Sequence, residues 1–212
     1  MRDAALERMR VYGTTSSPYV RKVRVAALEL GLPVDLEPID LAEWALFGAI
    51  NPIHRVPVLE FCDGRRMFDS QVICEYLDTL AGRRPPLFPP PPQRWDELKL
   101  AMLGNGIMDA AVPRRAEMAR PLPQRSPAQL ASYERSIRQI LDQLEREPPA
   151  SKVFEIGGIC AACALAYLDF RFPGDNWRSR RPLLAGWFET VSARPSMTET
   201  RHPEPDPSGQ PS

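Results

Sequence analysis

Histidine is scarce in this sequence: His54 and His202 are the only two among 212 residues, which leaves a zinc centre short of ligands. Cysteine is nearly as sparse. Cys62, Cys74, Cys160 and Cys163 are too few for a disulfide framework in a chain of this length, and they sit in apolar or turn contexts, so a reducing, cytoplasmic setting is expected. Cys160 and Cys163 have a metal-like spacing, but they lie in an Ala-rich apolar run and read as small buried helix residues. Neither sign of charge dominates. Lys+Arg and Asp+Glu both number 27, so the basic footprint that phosphate-backbone binding needs is missing and nucleic acid is not an expected partner. No apolar run is long enough for a membrane span, and Met1 to Arg8 lack the apolar stretch of a signal peptide. That octapeptide reads as a frayed extension, with Met9 as an alternative start of translation. Glycine-rich phosphate loops and internal repeats are absent too.

What the sequence does have is order. Met9 to Gly13 reads as a strand. Ser17-Pro18 opens an amphipathic helix from Val20 to Leu30, with Val23, Ala26, Ala27 and Leu30 on one face, and Gly31 closes it. Val34 to Ile39 reads as a strand, Leu41 to Ala49 as a short helix or loop, and Val56 to Phe61 as a strand. Asp63-Gly64 marks a hairpin turn into a return strand, Arg66 to Phe68. Asp69-Ser70 then starts a helix reaching about Leu80. The order βαβαββα over residues 9–82 is a thioredoxin-like α/β domain.

Residues 83–93 contain six prolines and read as an extended linker between domains. Residues 94–200 are helical throughout, an all-α domain. Arg94 to Arg120 is expected to kink at Pro113. Ser126-Pro127 supplies N-cap and N1 of a helix to Glu147. Ile156 to Phe170 is a buried helix, and Arg181-Pro182 starts another that carries Leu183, Leu184, Trp187, Phe188 and Val191 inward. Pro195-Ser196 opens a last turn. Residues 1–8 and 201–212 are expected to be flexible termini.

Two helix starts attract attention beyond their caps. Ser17 followed by Pro18 is a sufficient N-cap and N1 pair, and Asp69-Ser70 is a capping pair in its own right. In a thioredoxin-like layout, however, the first helix start is where sulfur chemistry takes place. A free thiol with a pKa near 8.5 needs a stabilisation of about two units, or ~2.7 kcal/mol, to be an anion at neutral pH. A hydroxyl donating to that anion contributes ~1.5 to 3 kcal/mol, and a helix N-terminus ~0.3 to 1 kcal/mol. Ser17 offers both.

Ser17-Pro18-Tyr19-Val20-Arg21-Lys22, then Asn51-Pro52 with His54-Arg55-Val56-Pro57-Val58-Leu59, then Phe68-Asp69-Ser70 with Ile73 and Glu75-Tyr76-Leu77, together resemble the cytosolic glutathione transferases. The likeness is to the bacterial proteins and the tau-type plant enzymes with Ser-Pro-Phe at the first helix, and it spans roughly residues 9 to 200. It implies that the Ser17 hydroxyl acts on the thiol of glutathione, with Ser16 as the alternative one register away and Tyr12 as the counterpart of a tyrosine-type variant. A Cys-type variant does thiol-disulfide exchange; the serine here, with no Cys-x-x-Cys near it, argues against that activity.

The resemblance further implies a cis Val56-Pro57 bond, which leaves Val56 to pair with glutathione as a short added strand. Arg55 would reach the glycyl carboxylate, and Asp69 and Ser70 the γ-glutamyl end at a helix N-terminus; His54 reads as an exposed loop residue. Met108, Arg114 and Arg115 lie on the helix that walls the electrophile pocket in this family, although solvated charge and ordinary core are the better account of each. Glutathione as co-substrate, a small electrophile as second substrate, no metal, and a homodimer complete the expectation. A non-catalytic interaction or ligand-binding protein of the same fold is the alternative, as is a glutathione-dependent peroxidase, dehalogenase or isomerase. One departure stands out: the family opens its buried sixth helix with a Ser or Thr and an acid three residues later, whereas Glu155 and Gly158 stand there. A substitute cap or a weaker helix is expected.

Overall fold

The computed structural model describes residues 9–39, 48, 50–82, 84–150 and 154–203. These form two compact units, one ending at Pro90 and resuming at Pro195, the other running from Pro91 to Arg194.

In the first unit, β1 (Met9–Gly13), α1 (Pro18–Leu30) and β2 (Val34–Pro38) form a βαβ crossover, followed by β3 (Val58–Glu60), β4 (Arg66–Met67) and α2 (Ser70–Ala81). The sheet order is β2-β1-β3-β4, with β1 parallel to β2 and antiparallel to β3. A parallel pair needs a long connection, which α1 supplies. This is the thioredoxin-like α/β layout, and the helix or loop expected over Leu41 to Ala49 lies, apart from Gly48, outside the described residues. The third strand begins at Val58 and not at Val56 because Pro57 has no N–H to give to the ladder, and it ends at Glu60 because the Phe61 N–H turns to the Arg65 carbonyl at 2.9 Å.

Local signals account for both helix boundaries of α1. The Ser17 hydroxyl accepts from the Val20 N–H at 3.3 Å, Pro18 occupies the first turn, and Gly31 closes the helix with φ 68°, a backbone region that costs glycine little. Val20, Val23, Ala26 and Ala27 of α1 are buried, as are Ile73, Cys74 and Leu77 of α2, and the two helices pack together. Within the proline-rich stretch, Leu87 and Phe88 are buried, and their N–H groups donate to the Asp78 carboxylate at 2.8 and 3.0 Å. A carboxylate near the end of α2 thus orders part of a segment whose composition alone reads as spacer.

The second unit is all-helical: α3 (Gln93–Ala119), α4 (Pro127–Arg146), α5 (Ile156–Arg171) and α6 (Pro182–Ser192). Helix α3 runs on through Pro113, which removes one N–H from its ladder. Helix α5 is buried along most of its length, Cys160 and Cys163 included, and it packs against α3. The approach is close at Gly104, where a Cβ would lie 2.5 Å from the Cys160 carbonyl carbon and 2.7 Å from the Ala161 nitrogen. Leu183 does not point inward as expected but is 61% exposed. The buried stripe of α6 begins at Leu184 and continues through Trp187, Phe188 and Val191, at helical spacing.

Glu155 makes no capping bond at the start of α5. The cap comes instead from α3: Glu97 Oε2 accepts from the Gly157 N–H at 2.9 Å. Helix α6 is treated alike, with Glu145 of α4 accepting from the Leu183 and Leu184 N–H groups at 3.1 and 2.8 Å. Burial, with the neighbouring Glu155 and Asp96 charges, pushes the Glu97 carboxyl up to about 7 from 4.5, against the pull of the Gly157 N–H. The folded chain therefore keeps a proton there that the unfolded chain loses above about 4.5. This contribution to stability is full below that pH and lost as the pH rises through 7. Glu97→Gln, which cannot ionise and still offers a carbonyl to Gly157, is expected to flatten the fall in melting temperature between pH 5 and 7.5.

The last helix, α7 (Pro195–Glu199), belongs with the first unit. The buried Arg21 of α1 donates through Nη2 to the Met197 carbonyl at 3.0 Å and through Nε to the Thr200 hydroxyl at 3.3 Å. Ser196 donates to Glu29 at 2.5 Å. Beyond α7, His202 is hydrogen-bonded to Thr15. Composition does not register a partner 187 residues away. The octapeptide Met1 to Arg8 and residues 204–212 lie outside the described residues.

Candidate functional site

The strand register brings three separated segments to one end of the sheet. Tyr12 pairs with Val58 and Leu59 with Met67. The chain leaving β1 toward Ser17, the chain entering β3 through Val56-Pro57, and the chain leaving β4 toward Asp69-Ser70 therefore emerge together.

Ser17 is half-buried in a turn closed by its own N–H to the Thr14 carbonyl at 3.2 Å. Its oxygen accepts from Val20, which leaves the hydroxyl proton to be donated elsewhere. Ser16, also half-buried, shares a 3.2 Å hydrogen bond with the Thr14 hydroxyl. Tyr12 is committed differently. Its hydroxyl donates to Glu60 at 3.1 Å, and the same carboxylate accepts from Arg10 at 2.7 Å and Arg66 at 2.9 Å. Burial, then the hydrogen bond to Glu60 and its negative charge, raise the Tyr12 phenol above its usual range. Burial alone would raise Glu60 too, but the hydrogen bonds from Arg66 and Tyr12 and the charges of Arg66 and Arg10 outweigh it and hold the carboxyl low. A phenol that already donates to an anion has no proton to spare for a thiolate.

The Val56–Pro57 bond is cis. Its loop is built on Asn51, fully buried, whose side chain donates to the Arg55 carbonyl at 2.7 Å and accepts from the Ile53 N–H at 3.0 Å, while its own carbonyl accepts from the His54 N–H at 3.0 Å. Around this anchor Arg55 is exposed, Val56 half-buried and Pro57 buried. His54 is exposed and takes a left-handed backbone, φ 50°. In the sequence Asn51 stands out only as part of a motif; an Asn that bonds the backbone two residues on is a recognised turn former, and that is the local signal of its role.

Asp69 caps α2 by accepting from the Gln71 N–H at 2.9 Å and is itself exposed, with Ser70 buried beside it. In the second unit, Met108 is fully buried and Arg115 half-buried. Arg114 is buried under Phe172, 4.3 Å from the ring centroid, and is held by Glu134 at 2.9 Å and by Asp175. It lines a cleft of about 480 Å³ whose charged walls include those two acids and the Arg181–Asp142 pair. Among the described residues no cluster of three or more His, Cys, Asp or Glu side chains is arranged to hold a metal ion.

Residues 11–85 match the glutathione S-transferase N-terminal domain family, and residues 123–190 match the C-terminal domain family. An uncharacterized GST-like protein of Escherichia coli strain K12, YibF, is 31% identical over 202 residues, which cover 92% of this chain and all of YibF. The chain belongs to the glutathione S-transferase family. Among solved structures of the family, a glutathione transferase family member from Pseudomonas fluorescens Pf-5 with bound glutathione superposes with a TM-score of 0.87 at 39% identity, covering 92% of this chain and 99% of that one. The same Pseudomonas protein with bound S-(propanoic acid)-glutathione gives 0.83 at 39% identity, covering 92% and 100%.

Proposed function

We propose that this chain is a serine-type glutathione transferase, in which Ser17 stabilises the thiolate of bound glutathione and the thiolate attacks a small electrophile. The observation that carries the reading is the Ser17 hydroxyl at the N-cap of α1, its oxygen accepting from the Val20 N–H, in a fold whose 39%-identical relative holds glutathione. Glutathione is the co-substrate. Val56 pairs its backbone with the cysteinyl part of the tripeptide, Arg55 engages the glycyl carboxylate, and Ser70 with Asp69 receives the γ-glutamyl carboxylate and ammonium. Pro57 in its cis form shapes the strand edge. Ser16 is the secondary candidate, and Tyr12 is set aside because its hydroxyl already donates to Glu60.

In the reaction the thiol gives its proton to solvent. The sulfur lone pair then forms the S–C bond while the leaving group departs with the electrons of the bond it breaks. Ser17 and the aligned N–H groups of α1 lower the cost of the anion, and binding supplies proximity. No step calls for a metal or nucleotide. That the Pseudomonas relative accommodates an S-substituted glutathione supports conjugation over simple binding. Of the three residues named for the second-substrate pocket, Met108 is fully buried and Arg114 is held by Glu134 and Asp175.

A cytoplasmic homodimer completes the reading; among the described residues no single helix is long and apolar enough to cross a membrane. Calorimetric titration with glutathione, followed by turnover of a chlorinated dinitrobenzene, tests the whole. Saturable binding with turnover is expected, and the absence of a binding heat would overturn the proposal in favour of a non-catalytic member of the fold.

A further inference from the structure

The turn that delivers Ser17 is closed by the Ser17 N–H donating to the Thr14 carbonyl at 3.2 Å, so Thr15 and Ser16 are its central residues. The peptide joining them is the one that flips between the two common turn types, and the flipped form asks for a positive φ at the second central residue. Ser16 has no positive φ. The carbonyl of that central peptide belongs to Thr15, and it is the group His202 reaches: Nδ1 lies 3.1 Å from the Thr15 oxygen. Because a carbonyl only accepts, Nδ1 carries the proton.

His202 itself is held in place. Arg21, in the first turn after Ser17, grips Met197 and Thr200 through one buried guanidinium, Thr200 bonds back to the Ser196 carbonyl at 2.7 Å, and Ser196 is tied to Glu29. The segment 195–202 is thus fastened at two points to the very helix whose N-cap turn it touches, so the His202 ring and Ser17 share one rigid base.

We propose that His202 is a positioning residue for the transferase reaction, locking the Thr15–Ser16 peptide through its Nδ1–H and so holding the Ser17 hydroxyl on its line toward the thiol. The inference rests on the reading of Ser17 given above. His202 touches no reacting atom and acts through the turn. Without the Nδ1–H the Thr15–Ser16 peptide is held less tightly in the orientation that aims Ser17, and up to the whole contribution of that bond is lost from the alignment.

The test uses the full chain and two variants. In His202→Asn the side-chain amide nitrogen stands near where Nδ1 stood and still donates; in His202→Ala nothing does. For His202→Ala, turnover at saturating glutathione is expected to fall about three- to tenfold. The bound thiol, followed by its thiolate absorbance, should titrate about half to one pH unit higher, with the melting temperature near that of wild type. His202→Asn should recover most of both losses, and amide exchange at Ser16 and Ser17 should be faster in the alanine variant only. Wild-type thiol titration in His202→Ala, or an asparagine variant no better than alanine, would overturn the proposal. Ser17→Ala in the same assay separates the two claims: if it turns over normally, the serine reading fails on its own. The turn lock is then judged by exchange at Ser16 and Ser17, where equal rates in the alanine and asparagine variants sink it.

Discussion

Ser17→Ala should slow conjugation by roughly 10- to 150-fold while glutathione continues to bind, the range corresponding to a hydroxyl that donates ~1.5 to 3 kcal/mol to an anion. Most contacts to the tripeptide come from Arg55, Val56, Asp69 and Ser70 on this reading, so the dissociation constant should change little. The deficit should appear in kcat, and the thiolate absorbance should require a higher pH. Ser17 has a second duty that must be separated from the first, since its oxygen caps α1 through Val20, and loss of an N-cap to alanine costs ~0.5 to 2 kcal/mol of stability. Glycine is a tolerable N-cap and has no hydroxyl. Ser17→Gly should therefore lose as much turnover as Ser17→Ala with less loss of stability. Ser16→Ala and Tyr12→Phe should stay near wild-type turnover. Full activity in Ser17→Gly would move the role to Ser16, whose hydroxyl is 3.2 Å from that of Thr14.

Gly104→Ala should be the most damaging single methyl in the helical unit. The added carbon would meet the Cys160 carbonyl carbon at 2.5 Å, the Ala161 nitrogen at 2.7 Å and Cys160 Cβ at 2.8 Å. Backbone cannot swing aside as a long side chain can, so α3 and α5 have to separate along a buried contact. Overpacking of this kind costs ~1 to 3 kcal/mol, and the upper end applies here. With a urea slope of ~1 to 3 kcal/mol per molar, the unfolding midpoint should drop by about 1 M or more. Gly186 is the control. It lies in the interior of α6, and a Cβ added there would meet nothing within 4 Å, so Gly186→Ala should gain ~0.5 to 1 kcal/mol through helix propensity alone. Equal effects at the two positions would refute the close approach of α3 and α5.

The parts of the site that can be read in advance are those whose signal fits within three or four residues. Ser17 with Pro18, Gly31, and Asp69 before Gln71 each cap a helix by a bond to a near neighbour, and such bonds leave a residue pattern in the chain. The parts that cannot be read are bonds across the fold. Glu97 looks like one more charged residue on a helix, yet it caps Gly157 sixty residues later. Tyr12 reads as a plausible thiol partner until β1 and β3 pair and set Glu60 beside it. Arg114, which the family resemblance would set beside a substrate pocket, is claimed by Glu134 and Asp175. His202 sits among prolines and polar residues that promise no structure, yet it bonds Thr15.

By itself, then, the sequence determined the order of strands and helices, their boundaries at Ser17, Gly31 and Asp69, and the family motifs, because hydrophobic periodicity and capping are short-range properties of a chain. Only the tertiary structure decided which acids take the hydrogen bonds of Tyr12, Arg114 and Gly157, and what holds the turn before Ser17. A polar side chain's partner is chosen by strand register and helix packing, and neither leaves a local trace.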